Sequence, residues 1–211
     1  MTQRVINRHY SDSETKNEIL NAATELFAFR GYSAVSMKDV ASKVGIKPAS
    51  IYHYYEGKDA LMADIVTRFE KGYRNYFAWL RNMNKAAKSL DKVMDNMFND
   101  EMFKMLDPIG CFGIALMLRN QHNLESARKC VFELLYKESI HFLQADFDRL
   151  VEKRIIPPSD TKTLATVFMS CVLVGNEMRM YEYKGEKAPL HSSELFSSLK
   201  KLLTVTLTRG F

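Results

Sequence analysis

The segment Pro48, Ala49, Ser50, Ile51, Tyr52, His53, Tyr54 groups hydroxyls, an imidazole and small apolar side chains around one aliphatic residue. Such groups suit hydrogen bonds to phosphate oxygens and base edges and contact with thymine methyls, which is the chemistry of reading a duplex rather than of breaking a bond. Lysines stand near them at 38, 43, 47 and 58, against Asp39 and Glu56. That bias is mild, so helix termini and hydroxyls must share with the ammonium groups in holding phosphate.

Presenting these residues requires a short helix anchored from behind. Ser36 precedes Asp39 by three positions, a capping-box spacing that starts a helix. Met37, Val40, Ala41 and Val44 then fall on one face over about two turns. Gly45 is suited to the left-handed conformation that ends a helix, and Ile46 follows where the turn needs an apolar plug. After Lys47, Pro48 fits the first position of a second helix, in which Ile51 and Tyr55 share the inward face. Two short helices with a tight turn between them form a helix-turn-helix, with an ordinary αα corner as the duller alternative.

The run from Ile19 to Leu61 resembles the DNA-binding domain of the TetR family of bacterial transcriptional regulators. Ile19, Ala22, Ala23, Leu26 and Phe27 match its first helix, followed by Gly31 and Tyr32, the Ser36 to Gly45 segment, and Ile51, Tyr52, His53, Tyr54, Tyr55, Lys58 and Leu61. Lys47 and Ala49 depart from the residues the family often has there, which bears on the sequence read and not on the fold. The resemblance implies an all-α protein, with an N-terminal three-helix helix-turn-helix DNA-binding domain and a larger C-terminal helical domain for ligand binding and dimerisation. It implies that Ser36 and Lys38 lie by phosphates, and that Pro48, Ala49, Ser50, Tyr52, His53 and Tyr54 form the recognition helix, with Tyr52 nearer the backbone and Lys47, just before it, also among the DNA contacts. Lys58 resembles the family's phosphate-binding lysine.

The 211 residues are 46% hydrophobic and 26% charged with a formal net charge of +5, an ordinary globular mixture compatible with a polyanionic partner. The N-terminus is polar and the longest apolar run, Leu164 to Gly175, is short for a bilayer crossing, so a cytoplasmic protein without a membrane span or signal peptide is expected. Cys111, Cys130 and Cys171 are far apart among apolar residues, as reduced core thiols would be. A glycine-rich nucleotide loop, HExxH and CxxC are all missing, and the histidines show no metal-ligand spacing, so neither an enzyme nor a metal or other cofactor is expected.

The pattern divides the chain into an arm over 1–12 carrying Arg4 and Arg8, a DNA-binding unit over 13–57, and the remainder over 58–211. Ser11 and Glu14 predict the cap of the first helix. Leu61, Ile65, Phe69, Tyr73, Tyr76, Phe77 and Leu80 predict a connector helix of about 22 residues. Beyond residue 86 five helices are expected, including one over Leu90 to Met105 and a long one from about Leu124 that stops before Pro157. The segment Leu164 to Val174 is apolar nearly all round, and the last helix has a broad apolar face. These two helices are expected to pair with those of a second copy through Val167, Val174, Leu195, Leu199, Leu202 and Leu203, giving a homodimer that reads a palindromic operator in double-stranded DNA.

The resemblance also implies a small apolar or amphipathic effector among the helices of the larger domain. Candidate contacts are Met94, Met97, Phe98, Met102, Phe112, Met117, Tyr136, Phe168, Cys171 and Met178, each of which also reads as ordinary core. The favoured reading is a dimeric, ligand-responsive repressor. The alternative is an all-α interaction or ligand-binding protein that uses its helix-turn-helix for protein contact.

Overall fold

The computed structural model describes residues 12–97, 110–183, 185 and 191–209. Every element among them is helical: α1 Asp12–Arg30, α2 Met37–Val44, α3 Pro48–Ile51, α4 Lys58–Ala86, α5 Leu90–Met97, α6 Gly110–Asn120, α7 over 125–152, α8 Thr161–Tyr183 and α9 Ser192–Arg209. The expected arm, with Arg4 and Arg8, and the Ser11 cap lie outside the described residues, as does most of the expected helix beyond Met97.

Apolar positions on α1 wrap around it, from Ile19, Ala23 and Phe27 to Leu20 and Ala28, because α2 and α4 cover one side while α6 covers the other. Gly31, at φ 86, ends this helix in a conformation that a side chain would resist. The α1 C-terminus is held by a contact from far along the chain. One guanidinium nitrogen of Arg119 donates to the Ala28 carbonyl at 2.6 Å and another meets Glu177 at 3.1 Å, tying α1, α6 and α8 together. Phe29 stacks on Tyr183 beside it, ring centres 5.5 Å apart.

The connector α4 runs 29 residues from the corner into the core. Its buried rings form a ladder, Phe69 to Tyr73 at 5.4 Å and Tyr73 to Phe77 at 5.0 Å, continued by Phe77 to Phe142 on α7 at 4.5 Å. Near its far end Asn84 donates to Asp146 of α7 at 2.6 Å and accepts from Asn96 of α5 at 3.0 Å, all three buried. Loss of solvation pushes the Asp146 carboxyl above its ordinary value, against the opposing pull of Asn84 and Arg149.

The expected long helix is continuous but not uniform. Its Val131–Glu138 stretch is π-helical, and the Ser139 amide and hydroxyl both donate to the Leu134 carbonyl, the latter at 2.6 Å. Ser139 is thereby buried while Glu138 stays at the surface beside Arg74. Ahead of Pro157, Arg154 takes a left-handed φ of 56 and the Ile155 amide reaches back to Leu150 at 2.9 Å, which closes the helix.

Close packing of α8 on α9 depends on a glycine. A Cβ at Gly175 would come within 2.4 Å of the Phe196 ring, so the ring lies directly on the α8 backbone. The broad apolar face of α9 splits in two. Leu199 and Leu203, expected between copies, are 4% and 3% exposed and pack inside their own chain, because α8 and α5 cover that edge. Leu202 and Val205 on the other edge are 59% and 50% exposed, and on α8 Val167 and Val174 are 41% and 51% exposed. Leu195 is half-buried.

Candidate nucleic-acid interface

The corner is built as the local sequence demands. The Ser36 hydroxyl accepts from the Asp39 amide at 3.2 Å while the Asp39 carboxylate accepts from the Ser36 amide at 2.8 Å, both halves of a capping box. The Ser36 hydroxyl and then its amide hold the Asp39 carboxyl below its usual range. Gly45, at φ 82, sends its amide to the Ala41 carbonyl at 2.9 Å and reverses the chain. Pro48 opens α3 behind Lys47, whose backbone is extended.

The regular part of α3 is shorter than the seven-residue segment suggests. It spans Pro48–Ile51, after which hydrogen-bonded turns carry 52–54, with the Tyr54 and Tyr55 amides both on the Ile51 carbonyl at 3.0 and 3.1 Å. Ile51 and Tyr55 are buried, with α2 packed on α3 and Tyr55 bonded to Asp64 of α4, while Lys47, Pro48, Ala49, Ser50, Tyr52 and His53 are exposed. Tyr52 is 57% exposed, an aromatic ring turned largely to solvent. Tyr54, expected fully outside, is half-buried because its hydroxyl donates to Asp12 at 3.3 Å and its ring meets His53 edge-on at 5.3 Å.

Ser36 and Lys38 are exposed at the start of α2. Lys43, of the same helix, is tied to Glu25 at 2.7 Å and is less available to a phosphate. Lys58 is placed by residues that spacing did not single out for it. Its ammonium donates to the Tyr32 carbonyl at 2.8 Å and stands 4.5 Å from the centre of the Tyr32 ring, while the Tyr32 hydroxyl bonds Asp59. Burial, then Asp59, raises the Tyr32 phenol above its ordinary range, so it stays a donor. An ammonium has three donors and spends one here, leaving the rest for a phosphate oxygen. Behind it, the Tyr55 hydroxyl donates to Asp64 at 2.9 Å and Lys16 pairs with Asp64 at 2.8 Å, which fixes the rear of the corner on α4.

The candidate effector contacts do not form one group. Met94, Met97, Met117 and Phe168 are buried core residues, Cys171 and Met178 are half-buried, and Tyr136 is 40% exposed on the outer side of α7. Phe98, Met102 and the Phe112 side chain lie outside the described residues. Met97 and Phe168 border, with Tyr73 and Met169, a cavity of about 10 Å³, room for a single water at most. Burial pushes the Cys130 thiol up to about 12 and raises that of Cys171, which keeps both as unreactive thiols. Among the described residues no group of acidic, histidine and cysteine side chains could hold a metal ion, and no helix is long and apolar enough to cross a membrane.

Residues 19–65 match the family described as "Bacterial regulatory proteins, tetR family". The HTH-type transcriptional regulator UidR of Escherichia coli K12 is 38% identical over 115 residues, covering 51% of this chain and 59% of that protein. The negative transcriptional regulator IcaR of the icaADBC biofilm operon in Staphylococcus aureus (strain Newman) is 28% identical over 88 residues, 39% of this chain and 44% of that one. The chain thus spans about half the length of these curated relatives. A solved putative TetR-family regulator from Mesorhizobium loti superposes with a TM-score of 0.65 at 16% identity, covering 95% of this chain and 98% of that one. Salmonella enterica GusR gives 0.61 at 17% identity, covering 96% and 100%. At such identity the likeness is one of fold, and it extends over the whole helical architecture.

Proposed function

We propose that this chain, which belongs to the TetR family of bacterial regulatory proteins, is a transcriptional regulator that binds a palindromic operator as a two-fold dimer. The observation that carries this reading is the outward side of α3. Its exposed residues are polar, small or aromatic, while Ile51 and Tyr55 anchor it from behind. Lys58, Ser36 and Lys38 flank it as phosphate contacts. Residues 13–57 act as the reading head and 58–211 as the connector and dimerisation unit, in the bacterial cytoplasm.

The exposed apolar stripes of α8 and α9 support the dimer. Val167 and Val174 lie seven residues apart on one helix, as do Leu195 and Leu202 on the other, so each pair shares a face that a second copy covers. Repression as the sign of regulation follows IcaR, a negative transcriptional regulator. A small-molecule effector favouring the spacing that misfits DNA releases the operator in proportion to its preference for that state.

Selection of bound fragments from bacterial genomic DNA, followed by titration against salt, tests the reading. A palindromic consensus whose affinity falls steeply as salt rises is expected, as phosphate contacts release counterions. Lys58→Ala should weaken all sequences alike, whereas Ser50→Ala should change preference at particular base pairs. Failure to enrich any sequence, or partner-protein binding that survives joint replacement of Tyr52, Tyr54 and Lys58 by Ala, contradicts the reading in favour of a protein-contact role.

A further inference from the structure

We infer that the groove between α4 and the π-helical part of α7 binds a small carboxylate that carries an apolar ring. The groove holds about 280 Å³, near the lower end of small-molecule sites at roughly 300 Å³. Phe77, Leu134 and Phe142 supply apolar surface, while Arg74, Arg81 and His141 supply polar groups. Its acidic lining residue, Glu138, is neutralised, because Arg74 grips both its oxygens at 3.0 and 2.9 Å.

The two arginines differ in what they have left to give. Arg74 is committed to Glu138 and, at 3.5 Å, to Glu70. Arg81 stands over the Phe142 ring, 4.5 Å from its centre, and forms no ion pair among the described residues. Asp146 feels its charge, but the oxygens of Asp146 are engaged by Asn84 and Arg149, each at 2.6 Å. Arg81 therefore retains a planar fork of donors that matches a carboxylate, set above an aromatic floor. A neutral apolar molecule would cover that charge without pairing it, and inorganic phosphate would leave the floor bare.

The site lies on the connector that carries Lys58 at its other end, and the π-helical stretch forms its opposite wall. Irregular turns of this kind concentrate at functional positions. Calling the ligand an effector rests on the regulator reading; the binding itself does not.

Calorimetric titration of the full chain with naphthoate, naphthamide, acetate and inorganic phosphate provides the test, with Arg81→Gln and Ala78→Glu as variants whose unfolding curves are recorded alongside. Ala78 is an exposed lining residue, and its replacement by Glu sets a carboxylate where the ligand's would lie. Naphthoate should bind saturably, one per chain, at least about tenfold tighter than the other three probes. Arg81→Gln should weaken it about tenfold or more, and Ala78→Glu should abolish it. No saturable naphthoate binding, binding that both folded variants leave within about twofold, or phosphate or naphthamide binding equally well overturns the site. Operator binding measured on the same samples separates the two claims: naphthoate without operator binding retains the groove and overturns the regulator, and the reverse overturns the groove alone.

Discussion

The outer side of α3 and the outer edge of α8 and α9 are both exposed, yet their chemistry is opposite. On α3 the residues turned outward are Lys47, Ser50, Tyr52 and His53, able to hydrogen-bond a partner of any sequence and to sit comfortably in water without one. On α8 and α9 they include Val167, Val174, Leu202 and Val205, between 41% and 59% exposed, apolar side chains set among the polar Thr166, Ser170, Ser198 and Lys201. The first surface is at ease in water while its proposed partner, DNA, is absent. The second leaves apolar area in water until another apolar face covers it, at roughly 25 cal/mol per Å². Surface exposure alone therefore says little about function; the side-chain chemistry on the exposed edge indicates what kind of partner fits.

Adjacent leucines on α9 offer the strongest way to break this contrast. Leu203→Ala should lower the stability of the folded chain by roughly 2–5 kcal/mol, since it empties a core position, while Leu202→Ala should change the stability of the monomer by less than about 0.5 kcal/mol. Denaturant unfolding over a range of protein concentrations checks both, because the Leu202 effect should appear only as a loss of concentration dependence. Equal effects would mean that the two edges of α9 are not distinct.

Gly175→Ala comes next. Its Cβ would meet the Phe196 ring, which must swing off α8, so a loss of about 1–2 kcal/mol and weaker self-association are expected. Ser36→Ala should cost about 1 kcal/mol by removing the cap of α2 and leave self-association unchanged, separating the α2–α3 corner from the proposed dimer surface by thermal unfolding and sedimentation.

The smallest effect is a difference in sign between two carboxyls. Asp39, lowered by its bonds from Ser36, contributes stability that is present above its unfolded value and is lost as pH falls through its folded value. Asp146, raised by burial, contributes stability that is full below its unfolded value and is lost as pH rises through its folded one. Carboxyl carbon titrations by NMR should place Asp39 below and Asp146 above the ordinary range, with Ser36→Ala returning only Asp39 toward it.

The corner was legible because its signals are local: Ser36 with Asp39, then Gly45, then Pro48, each acting within four residues. The partners that complete it are not. Tyr32, which holds Lys58, is 26 positions away, and Ala28, which receives Arg119, is 91 away, so no spacing rule reaches them. Apolar periodicity indicates the width of the α9 face but not which edge turns inward; Leu199 and Leu203, expected between copies, lie inside their own chain. The π-helical stretch in α7 left no mark either, since Val131, Leu134 and Leu135 fit an ordinary helical stripe equally well.

The central claim is that two copies present their α3 helices to successive major grooves with fixed separation. It is tested most directly by inserting about five base pairs, half a helical turn, between the halves of the selected operator, and then about ten. The half-turn insertion should weaken binding by at least about a hundredfold, because it carries one half-site to the opposite side of the duplex, and the full-turn insertion should restore part of the loss. Binding indifferent to both insertions would contradict it.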